Sequence, residues 1–257
     1  MRKPFWLYVM LSLPLFLTGQ NTQFFNSYHK LSFQFGVSRY FGSDTNPLPP
    51  TLELNFINYT SPHFGLYYDI LQTKNFNFKV GLSVLLVREI DEYRIDAIEI
   101  PDVDRDYGFI IETVSDNSWR FNLPITSEYI LNTSLGKLSF NGSLIIGYHQ
   151  NFGPTFSEYN IKAPQNEEFT SLKSINERQT APWYANIQFG VGMYFPFEKW
   201  MLRTNVYCNF ALQDLYNGTF LFSNLEQSPD TSGNFSFRGD SFGIEFSIYL
   251  KKKKKIN

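Results

Sequence analysis

The sequence predicts an all-β chain: an eight-stranded antiparallel up-and-down transmembrane β-barrel with short turns at one end and long loops at the other. Three observations predict it. Eight segments alternate apolar and polar residues with period 2, the mark of a strand whose two faces meet different surroundings. The connections between them alternate between short and long. Aromatic residues make up 18% of the chain, with 27 Phe, 16 Tyr and 4 Trp, and rings favour both strands and the boundary between apolar and wet surroundings.

Composition narrows the remaining classes. A mean hydropathy of -0.25 with only 18% charged residues fits neither a bundle of membrane-spanning helices nor a disordered polar chain. A single Cys excludes a disulfide framework and a multi-Cys metal site. Residues 1–20 read as a signal peptide: Arg2 and Lys3 precede an apolar stretch from Phe5 to Leu17, and Thr18-Gly19-Gln20 supplies small or polar residues at the cut. Pro14 interrupts the stretch, and about 20 apolar residues are needed to span as a helix. No later stretch is long and apolar enough to cross as a helix, so membrane residence beyond it must use strands. Residues 21–257 then form one barrel domain, of which 251–257 is a Lys-rich periplasmic tail.

The strands follow in order. Segments 1 to 4 run from His29 to Phe41, Thr51 to Ile70, Phe76 to Ile90 and Ser118 to Leu131. Asn58, Thr60 and Pro62 break the parity of the second, which predicts a bulge or bend there. Segment 5, Lys137 to Phe152, sets Leu138, Phe140, Leu144, Ile146 and Tyr148 against Ser139, Asn141, Ser143, Gly147 and His149. Segment 6, Pro182 to Phe195, sets Trp183, Ala185, Ile187, Phe189, Val191, Met193 and Phe195 against Tyr184, Asn186, Gln188, Gly190, Gly192 and Tyr194. Segment 7 runs from Met201 to Tyr216 and segment 8 from Phe237 to Leu250, the latter with Phe242, Ile244, Phe246, Ile248 and Leu250 on one face.

Leu71 to Asn75, Asn132 to Gly136 and Pro196 to Trp200 are short links, whereas Asp91 to Asn117, Gly153 to Ala181 and Asn217 to Ser236 are long. Short periplasmic turns, long external loops, an even strand number and both termini inside characterise barrels of the Gram-negative outer membrane. A soluble barrel would carry abundant Lys and Glu outside and its apolar parity within. Here the polar parity is mostly Gly, Ser, Asn and Gln, which suits a narrow lumen. Tyr40, Trp119, Tyr148 and Trp183 form one expected aromatic girdle, and Tyr68, Phe76, Tyr129, Phe195 and Trp200 the other.

The same parity turns Glu53, Asp69, Lys79, Arg120, Glu128, His149, Arg203 and Glu245 inward as a lumen polar network. An eight-stranded barrel is just wide enough for side chains to fill, and an unpaired buried charge is costly, so these groups should pair into a plug. Asp102, Asp104 and Asp106 suggest a cation-binding turn, but the glycine and glutamate that follow miss the calcium-loop positions; a solvated acidic turn is expected, on a hairpin projecting outside. No metal or other cofactor is expected. Catalysis by a Ser–His pair has little material: neither His29, His63 nor His149 has a Ser two residues on, leaving only His149 with Ser143 or Ser139. Cys208 reads as a small apolar filler on the lipid parity. Without Arg2 and Lys3 the net charge of -2 becomes -4, and without Lys251 to Lys255 as well it is -9; this acidic body argues against nucleic-acid binding.

Phe121-Asn122-Leu123-Pro124-Ile125 with Tyr129 resembles the I/L-P-x-x-x-x-Y strand of PorT-like outer-membrane β-barrel proteins. Phe64-Gly65-Leu66-Tyr67-Tyr68 and Asn75-Phe76-Asn77-Phe78-Lys79-Val80-Gly81-Leu82 resemble that family's second and third strands. Segment 8 is similar to the carboxy-terminal assembly signal of such barrels, though it lacks a final aromatic and adds a Lys tail. The resemblance implies an outer-membrane location and, from one member, protein secretion to the cell surface. The expected role is therefore non-enzymatic: surface interaction or envelope and secretion assembly through the loops Asp91 to Asn117 and Gly153 to Ala181. The expected partners are outer-membrane lipid, lipopolysaccharide and other envelope proteins. Transport of a small or apolar molecule is the alternative, and a lipid-modifying enzyme the third.

Overall fold

Among the described residues there are fourteen strands: β1 (Tyr28–Tyr40), β2 (Asp44–Thr45), β3 (Leu52–Asn58), β4 (Ser61–Gln72), β5 (Phe76–Asp96), β6 (Phe109–Thr133), β7 (Gly136–His149), β8 (Thr155–Lys162), β9 (Glu168–Arg178), β10 (Trp183–Pro196), β11 (Trp200–Ala211), β12 (Tyr216–Phe222), β13 (Thr231–Phe237) and β14 (Ser241–Lys251). A single helical turn, α1 (Gln23–Asn26), precedes them. The computed structural model describes residues 23–41, 44–45, 47–58, 60–99, 109–133, 136–150, 155–162, 168–178 and 182–252. The expected signal peptide and the turn with Asp102, Asp104 and Asp106 lie outside the described residues.

Eight strands close a ring in the order β1-β4-β5-β6-β7-β10-β11-β14, with β14 returning to β1 and every pairing antiparallel. Closure pairs the backbone edges that an open sheet would leave bare, a requirement inside hydrocarbon. The outer face is apolar. Thirty large apolar side chains among the described residues are exposed, far beyond the scattered few that a soluble surface shows. They include Phe33, Phe35, Leu82, Phe121, Phe189, Val206 and Ile244, all on the apolar parity of their strands.

Two aromatic levels bound this belt. Trp119 and Trp183 mark the upper one, with Tyr148 packed edge-on to Trp183 at 5.2 Å. Tyr68, Tyr129, Phe195 and Trp200 mark the lower, where Phe197 and Trp200 stack at 4.2 Å. Trp119 and Tyr129 lie ten residues apart on β6, or ~33 Å of strand; tilted by ~40°, that spans about the 25 Å height of a barrel's apolar band. Two expected girdle residues are corrected. Tyr40 shares the inward parity of Ser32, Gln34 and Ser38, and its ring lies inside the barrel mouth. Phe76 is buried at the turn where the Thr73 N–H donates to the Phe76 carbonyl and the Phe76 N–H donates to Thr73 Oγ1, so it does not face lipid.

The expected second segment is two strands. Both run alongside β5, but Asn58 faces Glu89 while His63 faces Leu85: five residues advance on one side against four on the other. That extra residue, in the stretch broken by Asn58, Thr60 and Pro62, reverses which parity faces in. Glu53 is consequently not in the lumen. It lies outside the barrel, half exposed, opposite Arg94 at 3.5 Å, while Leu52 and Leu54 point inward.

The long connections hold the larger departure. With its 21 residues, β5 rises about 70 Å, against about 30 Å of hydrocarbon, so its upper half and that of β6 stand outside the membrane. Hairpins β8–β9 and β12–β13 join β2 in a five-stranded sheet of order β2-β13-β12-β9-β8. Phe220, Phe222, Phe235 and Phe237 of this sheet pack with Leu52, Leu54, Leu85, Val87, Ile95 and Tyr40 into an apolar core over the barrel mouth. Segments expected as loops thus form an external cap.

Candidate functional site

The lumen is built from the inward parity of all eight barrel strands. At its centre Arg203 of β11 lies between two carboxylates. Its Nε donates to Oε1 of Glu128 on β6 at 2.6 Å, and its Nη1 to Oε1 of Glu245 on β14 at 3.2 Å. The other Glu128 oxygen accepts from Nζ of Lys79 at 3.0 Å and from the Tyr194 hydroxyl at 2.6 Å. Glu245 also accepts from Asn205 at 2.9 Å and from Gln34, while His63 lies 4.0 Å away. Asn141 extends the net by donating to Asn205 at 2.7 Å. Asp69 is served by Asn77 at 3.0 Å and Gln72 at 2.5 Å.

Arg203 and Glu128 are essentially inaccessible, at 2% and 0%. Buried charges are tolerated when paired and when their remaining lone pairs and protons are satisfied, as here. With Glu53 outside, the named inward ions are Asp69, Glu128 and Glu245 against Lys79, Arg120 and Arg203, so formal charge balances.

Arg120 occupies a separate, higher station. It donates to the Tyr40 hydroxyl at 3.2 Å and its guanidinium lies over the Tyr40 and Tyr184 rings, at 5.4 and 5.9 Å. His149 is half-buried opposite Arg120 across the β6–β7 pair. Tyr184 donates to Asn122 at 2.5 Å and packs over Gly147, where any Cβ would overlap its ring.

Between the two stations lies a polar chamber of about 50 Å³, whose lining includes His63, Tyr67, Asn186, Gln188, Tyr207 and Glu245. It has room for a few waters and is well below the ~300 Å³ at which pockets for organic ligands begin. The periplasmic end is shut by Phe25 of α1, which packs with Tyr28, Ile130, Tyr194, Met201 and Tyr249. Phe25 meets Tyr194 edge-on at 5.4 Å.

The cap has its own polar fastening. Glu99, in the 3-10 turn Ala97–Glu99, is 1% exposed. Its carboxylate accepts from the Thr51 hydroxyl at 2.8 Å, the Ser228 hydroxyl at 2.6 Å, and the backbone N–H groups of Ser228 and Gln227 at 2.9 and 3.1 Å. Desolvation raises its pKa, but these hydrogen bonds outweigh that and hold the carboxyl below the usual range.

Of the eight residues expected in the lumen, the structure joins Lys79, Glu128, Arg203 and Glu245 directly, sets Asp69 beside them, places Arg120 and His149 higher, and puts Glu53 outside. Sequence reasoning missed Tyr194, Tyr207, Gln34, Asn205 and His63. A signal existed for Tyr194: it falls on the polar parity of its strand, where a ring can reach inward with its hydroxyl.

A closed eight-stranded antiparallel ring, apolar outside, banded by aromatics and filled with paired polar groups, defines an outer-membrane β-barrel of the Gram-negative type. The chain is similar to the outer membrane protein OprG from Pseudomonas aeruginosa, at 9% identity and a TM-score of 0.42, over 88% of this chain and 98% of that one. It is also similar to the outer membrane protein AlkL, at 11% identity and 0.39, over 90% and 95%, and to Neisserial surface protein A, at 10% and 0.34, over 87% and 97%. These likenesses extend to architecture alone. No protein-family model matches the chain, and no curated protein sequence does.

Proposed function

We propose that the protein is a closed, non-enzymatic barrel that acts through its external cap in surface interaction or in envelope and secretion assembly. The observation that carries this reading is the filled lumen: the network of Arg203, Glu128, Lys79 and Tyr194 crosses it, and the chamber above holds only about 50 Å³. A barrel whose interior is committed to holding itself together offers its loops for work, and here the connections that carry β2, β8–β9 and β12–β13 are joined in one sheet. The PorT-like pattern from Leu123 to Tyr129 supports a secretion role, with envelope proteins as partners. Lipopolysaccharide would meet the upper girdle. Liposome swelling in sugars tests the closed lumen: the expected rate equals that of protein-free vesicles, and swelling at the rate of a general porin overturns the reading.

One observation favours transport as a second reading. The β5–β6 ladder runs from Val80 opposite Ile125 to Ser83 opposite Asn122, with no pairing recorded for Gly81 and Leu82 against Leu123 and Pro124. Pro124 has no N–H to give, and it borders the chamber. A disulfide placed by Leu82→Cys and Leu123→Cys would lock this seam. Uptake of a small solute that the oxidised lock abolishes and reduction restores would favour transport.

A further inference from the structure

Every station of the periplasmic rim carries a lysine. Lys30 opens β1, Lys74 sits in the β4–β5 turn, Lys137 follows the β6–β7 turn, Lys199 sits in the β10–β11 turn, and Lys251 and Lys252 end β14. In barrel order these positions visit all eight strands. All are exposed except the half-buried Lys137. Among the described residues the only acidic side chain exposed at this rim is Glu198, since Asp69 and Glu128 turn into the lumen. The chain beyond residue 20, without Lys251 to Lys255, carries a net -9, so a basic periplasmic end is a segregation of charge that composition conceals.

The height of the ring identifies what it meets. Lys30 Nζ lies 5.9 Å over the ring of Tyr68, a residue of the lower girdle, and 3.4 Å from the Ile70 carbonyl. Lys199 sits between Phe197 and Trp200, whose rings stack. Lys30 thus holds its amine at the level where aromatics mark the lipid–water boundary, and Lys199 follows in the turn that carries the stacked pair of that level. We infer that this ring binds the phosphates of anionic phospholipids in the periplasmic leaflet, drawing phosphatidylglycerol or cardiolipin into the barrel's annulus. An acidic periplasmic protein would need the charges gathered beneath the barrel; a perimeter ring faces lipid headgroups. A lysine near an anionic surface is worth roughly fivefold in binding.

Trp200 supplies the readout. With Trp6, Trp119 and Trp183 changed to Phe, full-length protein is reconstituted in phosphatidylcholine vesicles with increasing fractions of brominated phosphatidylglycerol or, separately, brominated phosphatidylcholine. Trp200 should be quenched at several-fold lower mole fraction by the brominated anionic lipid, and strong salt should erase the difference. Replacing Lys30, Lys74, Lys137, Lys199 and Lys251 to Lys255 by Gln should erase it as well, while Arg94→Gln, at the external end, should leave it intact. Equal quenching by the two lipids in the lysine-bearing protein overturns the inference without reference to any variant. So does binding of polyglutamate that is undiminished by phosphatidylglycerol, which would show the amines facing water and open to an acidic protein.

Discussion

Arg203 Nε lies 2.6 Å from Glu128 Oε1, inside a barrel whose outer wall faces lipid. The two residues come from strands that are not neighbours: β6 and β11 are separated by β7 and β10. Their contact is therefore a strut across the lumen, not a rung along the wall. With Lys79 on the other oxygen of Glu128 and Glu245 on the other side of Arg203, it ties β5, β6, β11 and β14 together.

Removing both ends of the strut should cost less than the sum of removing each. Arg203→Met leaves Glu128 and Glu245 buried without their shared cation, a loss of about 3–5 kcal/mol. The Arg203→Met, Glu128→Gln double variant should lose less than the two single losses combined, with a coupling of about 1 kcal/mol or more. Urea unfolding in lipid vesicles measures all four proteins, and additive losses would refute the strut.

Gly147 is where bulk cannot be added. Gly147→Ala places a methyl group against the Tyr184 ring, so the ring must move and surrender its hydrogen bond to Asn122. Overpacking of this kind costs about 1–3 kcal/mol. Tyr184→Phe with Gly147→Ala gives no rescue, because the obstruction is the ring and not its hydroxyl. Thermal unfolding monitored by the electrophoretic shift of the folded barrel checks both.

Phe25 seals the periplasmic end from a single helical turn. Phe25→Ala should cost about 3 kcal/mol of docking, confined to the terminus because the ring of strands does not depend on it. Amide exchange at residues 25 to 28 should then accelerate by roughly a hundredfold, with the barrel strands unchanged. Uniform acceleration throughout the barrel would show instead that α1 belongs to the cooperative unit.

The Glu99 clasp should make the cap sensitive to acid. Its hydrogen bonds hold the folded carboxyl below its ordinary value. The stability it contributes is therefore complete above the unfolded carboxyl value of about 4.3, and is lost as pH falls through the folded value. Proteolysis of the cap by an acid-active protease should quicken below about pH 4. Glu99→Gln should be more susceptible at neutral pH and should lack that acid-dependent step.

Much of the barrel was legible because its pattern is local. Phe189, Val191 and Phe195 alternate with Gln188, Gly190 and Tyr194 within one stretch of chain, and no partner need be known to read two faces. The lumen was legible to the extent that parity held. It held from Asn77 to Val87 and from Ser118 to Ile130, giving Lys79 and Glu128, and in β11 and β14, giving Arg203 and Glu245. Tyr40 shows that a residue type can mislead where parity does not: an aromatic near a strand end was assigned to the girdle although its neighbours Ser38 and Gln34 share its inward face.

Period 2 and connection length thus set the eight spans, their outer face and which end carries the short turns, since a bilayer imposes a repeat that each strand obeys independently. Pairing decided the rest. One extra residue between β3 and β4 reverses which parity faces in, which moved Glu53 outside and brought the lumen ions into balance. Phe220, Phe222, Phe235 and Phe237 became a core only when hairpins distant in sequence covered them, because a lone hairpin cannot bury its own apolar face.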